Sequence, residues 1–219
     1  MSKLSSSILA TSLLVSLAAC AGNPAPPNGP PALTEAPPIE EGWHAEFVTV
    51  KVIDAPLEPL QAWIGKSNEL VSEMEETDQI KKPVEVKVVS GNWPETGSIR
   101  WLRFSDGHYT FERVLENRLP DHFRYQVWGI TSSAKSHITY AQGQQDWRVL
   151  EDGKSEFKWT YRLRPNSIIK RPFVQGFLDN DMKPFMEGAI GRMAANAEAE
   201  FAGWRSRDLA ALDDTGEAE

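Results

Sequence analysis

The side chains of this 219-residue chain best placed to do chemistry are Arg100 and Glu112. Both lie in the stretch GSIRWLRFSDGHYTFERVLE, Gly97–Glu116, among residues suited to burial. Buried together, they would put a polar spot inside an apolar interior. On a wet face or at a strand end, they would be an ordinary surface pair. Together with Tyr125 they could also serve as acid or base toward a bound substrate. Other chemistry finds little support. His44, His108, His122 and His137 show no metal-ligand spacing such as HExxH, and strand-end or surface positions are expected for them. There is no G-x-S-x-G, no P-loop and no GxGxxG, so no metal or cofactor is expected.

Where Arg100 and Glu112 point depends on one turn. If Asp106-Gly107 alone form it, the hairpin is a two-residue type I′, and Arg100 faces Arg113. If Ser105-Asp106-Gly107 form it, Gly107 is left-handed in a G1 bulge. Leu102 then faces Thr110, and Arg100 faces Glu112. Opposite charges across strands contribute about 0.2–1 kcal/mol and like charges cost a similar amount, which tips the balance toward the second register without deciding it.

Seven segments read as strands: 44–54, 84–91, 98–104, 108–116, 122–130, 137–150 and 155–165. The last alternates most cleanly, with Phe157, Trp159, Tyr161 and Leu163 on one face and Glu156, Lys158, Thr160, Arg162 and Arg164 on the other. Residues 55–76 read as one or two short helices, with Leu57, Leu60, Trp63 and Ile64 on one apolar face and Pro56 in the first helical position. From Phe185 to Trp204 the apolar spacing changes to three and four, as in a long amphipathic helix capped by Asn180 or Asp181. The polar stretch YAQGQQD leaves the register of the sixth strand open. The fold class expected is α+β: a seven-stranded antiparallel sheet burying one face against a long C-terminal helix, with two short helices after strand 1.

The ends of the chain differ from its middle. Residues 1–19 have the layout of a secretory signal: Lys3, an apolar run from Leu4 to Leu17, then small residues. Leu17-Ala18-Ala19-Cys20 resembles a bacterial lipobox, which implies a cleaved signal peptide and a lipidated Cys20. Several acyl chains together anchor a protein stably. With Ala21 rather than Asp after the cysteine, the resemblance to enterobacterial lipoproteins favours the outer membrane over the inner, on a periplasm-facing protein of the bacterial cell envelope. The alternative is an ordinary cleaved signal with an incidental cysteine. Residues 20–42 carry seven of the fifteen prolines and read as an extended tether. Roughly 20 such residues could hold a domain up to about 60 Å from the bilayer. The folded domain is expected over 43–207, and 208–219 is an acidic tail. With Cys20 alone there is no intramolecular disulfide, and a net charge of −8 excludes nucleic acid as a natural partner.

The order strand, short helices, GSIRWL, ERVLE, FRYQV, FKWTYRLRP and long helix resembles the START-like, or Bet v 1-like, SRPBCC superfamily over residues 44–205. The polyketide cyclase/dehydrase and lipid-transport-like subgroup is the nearest. The resemblance implies a helix-grip fold, in which a curved sheet wraps the long helix around a cavity for an apolar ligand. It also implies that Glu112 faces that cavity, which selects the second register. The implied wall is Arg100, Leu102, Phe104, Thr110, Glu112, Val114, Tyr125, Val127, Trp159 and Tyr161. Gly188 and Gly191 on the long helix would allow either ligand approach or tight helix–sheet packing. In this register Trp101, Tyr109, Phe111 and Trp128 turn to the convex face, where the tether, a partner protein or a second copy could cover them.

Three functions remain open. The first is an envelope-anchored protein binding or carrying a hydrophobic small molecule or lipid. The second is a cyclase- or aromatase-like enzyme using the same cavity. The third is an interaction protein using the Trp101, Phe111, Trp128 face.

Overall fold

A computed structural model describes residues 24–204 apart from Asn68. The expected signal peptide, the lipidation site Cys20 and the tail 208–219 lie outside the described residues. Seven strands form: β1 Ala45–Ile53, β2 Pro83–Ser90, β3 Ile99–Phe104, β4 Tyr109–Arg118, β5 His122–Trp128, β6 Ile138–Val149 and β7 Ser155–Pro165. They make one antiparallel sheet in the order β1-β7-β6-β5-β4-β3-β2. Between β1 and β2 lie α1, Leu57–Ser67, and α2, Glu69–Ser72. Leu57, Leu60 and Ile64 of α1 are buried, as their spacing predicts. Pro56 stands one residue ahead of the helix, and its carbonyl accepts the Leu60 N–H.

The C-terminal helix begins earlier than its apolar spacing predicts. It runs as α3, Arg171–Phe177, then a π-helical turn, Leu178–Met182, then α4, Lys183–Glu200. Asn180 and Asp181 therefore lie inside the helix and cap nothing. Pro184 explains the irregularity, because it has no N–H and its ring crowds the preceding turn. A wider turn just before it relieves that crowding, and Asn180 Nδ2 donates to the Gly176 carbonyl within it. Met186, Ala189, Ile190, Met193 and Ala197 of α4 are buried in the main core with Phe157, Trp159, Tyr161 and Leu163.

The edges of the sheet are β1 and β2, and the helix protects β1. Gln175 forms a reciprocal amide pair with the Glu46 backbone, and Glu198 accepts the Asp54 N–H. The uncertain strand β6 is placed by Gly143, which lies opposite Tyr125. A Cβ there would stand 1.9 Å from the Tyr125 ring, so only glycine lets that ring cross the strand.

Candidate functional site

The turn between β3 and β4 has three residues. The Phe104 N–H donates to the His108 carbonyl, and Gly107 has φ of 85°. Arg100 thus pairs with Glu112, and Leu102 with Thr110. Arg100 Nε donates to Glu112 Oε2 at 2.5 Å, with the two side chains 1% and 0% exposed. One inward-facing row crosses the whole sheet: Val88, Arg100, Glu112, Val127, Ala141, Leu163 and Ala45. The ion pair sits in that row with apolar neighbours on both sides.

All ten residues expected in the wall are buried. Leu102, Phe104, Val114, Tyr125, Val127, Trp159 and Tyr161 belong to the main core on the helix side of the sheet. Burial dominates the electrostatics. It pushes the Glu112 carboxyl up to about 7, with Arg100 pulling the other way, and it raises the Tyr125 hydroxyl well above its ordinary value. Glu112 Oε1 and Thr110 Oγ1 are buried and have no hydrogen-bond partner among the described residues. Two such oxygens on neighbouring inward positions of one strand are costly unless something donates to them.

Trp93, in the loop between β2 and β3, was not among the expected wall residues. Its ring centroid lies 3.7 Å from Arg100 Cζ, so it covers the guanidinium. Asn117 ties the loop down by donating to the Pro94 carbonyl. A large aromatic among turn-forming residues in SGNWPETGS was the available signal. Beyond Trp93 the same face opens. Val86 and Val88 share the face of Leu102 and Arg100, yet both are exposed.

The convex face holds a second, separate cluster of Trp101, Tyr109, Phe111, Trp128 and Tyr140. These residues do turn outward, but they are buried, so the Trp101, Phe111, Trp128 face is not open to a protein partner. The proline-rich segment covers it. Trp128 Nε1 donates to the Thr34 carbonyl at 3.2 Å and Gln126 Nε2 to the Pro37 carbonyl at 2.9 Å. The Glu40 N–H donates to Tyr140 Oη, and Arg164 pairs with Glu40 and donates to the Trp43 carbonyl. Pro26 lies against Gly107. Residues 24–42 are neither helix nor strand, as their prolines require, but they are a strap rather than a free spacer. Each proline removes a backbone donor but keeps its carbonyl, so a surface that offers aromatic rings and side-chain N–H groups suits this segment. The described part of the segment is therefore packed onto the domain expected over 43–207.

Gly188 and Gly191 are not in tight helix–sheet packing. A Cβ on Gly188 would meet only Arg192, and one on Gly191 would meet nothing within 4 Å. Gly188 instead lines a recess of about 480 Å³ with Glu75, Thr77, Asp181 and Arg192. A recess of about 600 Å³ lies between Val52, Asp54, Glu198 and Trp204. Neither is lined by Arg100 or Glu112. Among the histidines, His108 is buried against Thr131, and His122 stands between Asp146 and Glu116 at a strand end. Among the described residues no three His, Cys, Asp or Glu are grouped to hold a metal ion.

Sheet, strand order and long helix together define the Bet v 1-like helix-grip fold. The chain superposes on the crystal structure of Ara h 8.0201 with a TM-score of 0.52 and 14% identity, covering 70% of this chain and 99% of that one. Matches to a protein from Nitrosospira multiformis have 14% identity and a TM-score of 0.49, covering 71% of this chain and 97% of that one. For XoxI from Bacillus cereus the values are 15% and 0.49, with 69% and 94% covered. At 14% identity the likeness to Ara h 8.0201 speaks for the fold alone. No protein-family model and no curated protein matches the sequence.

Proposed function

We propose that this protein binds or carries a hydrophobic small molecule or lipid on the concave side of its sheet, with the ligand's polar end at Arg100 and Glu112. The observation that carries this reading is the pair of buried, unpartnered oxygens, Glu112 Oε1 and Thr110 Oγ1, inside an aromatic wall. A buried ion pair is a poor stabiliser, because desolvation costs several kcal/mol per ion. Its retention makes sense beside a ligand whose hydroxyl, amine or amide donates to Glu112. The fold supports the same reading, since concave, mostly apolar sites with a few polar groups are typical of small-molecule binding. The exposed Val86 and Val88, on the neighbouring strand, give an apolar approach beside the site, and Trp93 covers the Arg100 guanidinium.

In this reading the mature chain is a lipoprotein, acylated at Cys20 and anchored in the bacterial envelope, on the outer membrane in preference to the inner. The same reading places the chain with the lipid-transport-like and polyketide cyclase-like subgroup that its sequence resembles. A second reading rests on one observation. A carboxyl held near 7 beside a buried tyrosine is what a general acid or base requires, so a cyclase-like reaction in the same site is the alternative.

Native mass spectrometry of the full chain, extracted from membranes and exposed to lipid extracts, tests the proposal. An apolar species should be retained, and Glu112→Gln should weaken its retention. A chain that holds no such species overturns it. Turnover of a retained species, abolished by Glu112→Gln, decides for the enzyme.

A further inference from the structure

The turn 105–107, the connection from β5 to β6 and the end of β7 lie at one end of the sheet. The contacts that bind them are continuous. The Thr131 N–H donates to the Tyr109 carbonyl, and the Asn166 N–H donates to the His137 carbonyl. Lys170 Nζ donates to the Ser136 carbonyl, and the His137 and Phe173 rings lie 4.6 Å apart. At this end the segment Ser167–Phe173 makes a shoulder with unusual exposure. Ile168 is 69% exposed, Ile169 87% and Phe173 43%. Two adjacent isoleucines so exposed gain nothing within the fold.

The charge on the shoulder segment itself is one-sided. Lys170 and Arg171 lie on the shoulder, Lys135 lies on the connection it contacts, and there is no acid between Pro165 and Leu178. This is unexpected in a chain of net charge −8. Beside Ile168 is a recess of about 300 Å³ lined by Arg164, Asn166, Ser167 and Arg171, together with Glu40, which pairs with Arg164. Apolar tips flanked by bases, with a basic recess behind, suit a surface of acyl chains under anionic headgroups.

The path of the N-terminal segment points the same way. The strap ends with Pro26 against Gly107, in the turn at this same end. The 23 residues that precede the described chain, with Cys20 and the apolar run Leu4–Leu17, therefore depart from this end. Pro26 follows Cys20 by only six positions, a reach of about 20 Å.

We propose that the Ser167–Phe173 shoulder is a membrane-contact surface for an anionic bilayer. The strap and anchor hold this end of the sheet down on it, with Ile168 and Ile169 in the acyl boundary. The part played by the anchor rests on the lipoprotein reading above; the contact itself does not.

The test reconstitutes the full chain into vesicles of phosphatidylethanolamine and phosphatidylglycerol. A nitroxide is placed on Ile169→Cys or, as a control, on Val149→Cys, which is exposed at the other end of the sheet. The mass of the N-terminal peptide reports acylation independently, and an unacylated Cys20 is replaced by serine before labelling. The expected result is a label at 169 several-fold more accessible to membrane-dissolved oxygen than to a water-soluble nickel chelate, with the reverse at 149. Ile168→Glu with Lys170→Glu should return the 169 label to water. Equal water accessibility at the two positions overturns the proposal, whatever the state of Cys20. Protection of 169 only in native membranes, and not in lipid vesicles, overturns it in favour of a protein partner. Protection in vesicles with an unacylated Cys20 supports the contact and removes the anchor.

Discussion

Trp128 donates its indole N–H to the carbonyl of Thr34, 94 residues earlier in the chain. That bond fastens a proline-rich strap to the outer face of a sheet whose inner face carries the buried charge. It holds the strap, through Ala36, against a buried cluster of five aromatic side chains on that face.

Trp128→Phe should keep the ring contacts and lose only the hydrogen bond, at a cost of about 1 kcal/mol. Trp128→Ala should cost about 3–5 kcal/mol and release the strap. Limited proteolysis should then cut within 24–42 in the alanine variant while sparing the wild type. Equal resistance in both would show that Trp128 does not hold the strap.

Glu112 makes stability depend on pH in an uncommon direction. Its folded value, about 7, lies above the ordinary 4.5, so between these pH values the folded state holds a proton that the unfolded state has released. Stability therefore falls as pH rises from about 4.5 to about 7, by about 3 kcal/mol, and is flat on either side as far as this group is concerned. Urea midpoints at several pH values should show the slope in the wild type and its loss in Glu112→Gln. A slope unchanged by that substitution would assign it to other groups.

Removing one charge of the pair should cost more than removing both. Arg100→Met leaves Glu112 buried without its partner and should destabilise by about 3–5 kcal/mol. Arg100→Met with Glu112→Leu should recover most of that loss while weakening ligand retention. Chemical denaturation of the two singles and the double measures the coupling. Additive losses would mean that the two groups are not coupled.

Gly143→Ala places a methyl group inside the Tyr125 ring and should destabilise by about 1–3 kcal/mol. Tyr125→Val in the same chain should relieve the clash, so the double variant should be more stable than the sum of the singles predicts. Melting temperatures of the four chains test this, and an unchanged Gly143→Ala would place the Tyr125 ring elsewhere.

Local periodicity determined much of this protein. A period of two settles which residues of one strand share a face, but the sequence left the SDG turn open between two registers; the three-residue turn of the structure is what sets Arg100 opposite Glu112 and sends Trp101 and Phe111 to the other side. The same regularity made β7 and the apolar stripe of α4 legible. Three further features were decided only by the tertiary structure. Proline content showed that residues 24–42 form neither helix nor sheet, but their hydrogen-bond donors come from Trp128 and Gln126, far along the chain. The helix reaches back to Arg171 because a π turn accommodates Pro184, and apolar spacing does not register such a turn. Trp93 covers Arg100 because a loop folds over the sheet, and no pattern within that loop specifies what lies beneath it. Faces follow from alternation along the chain, whereas what covers a face depends on segments brought together only when the chain folds.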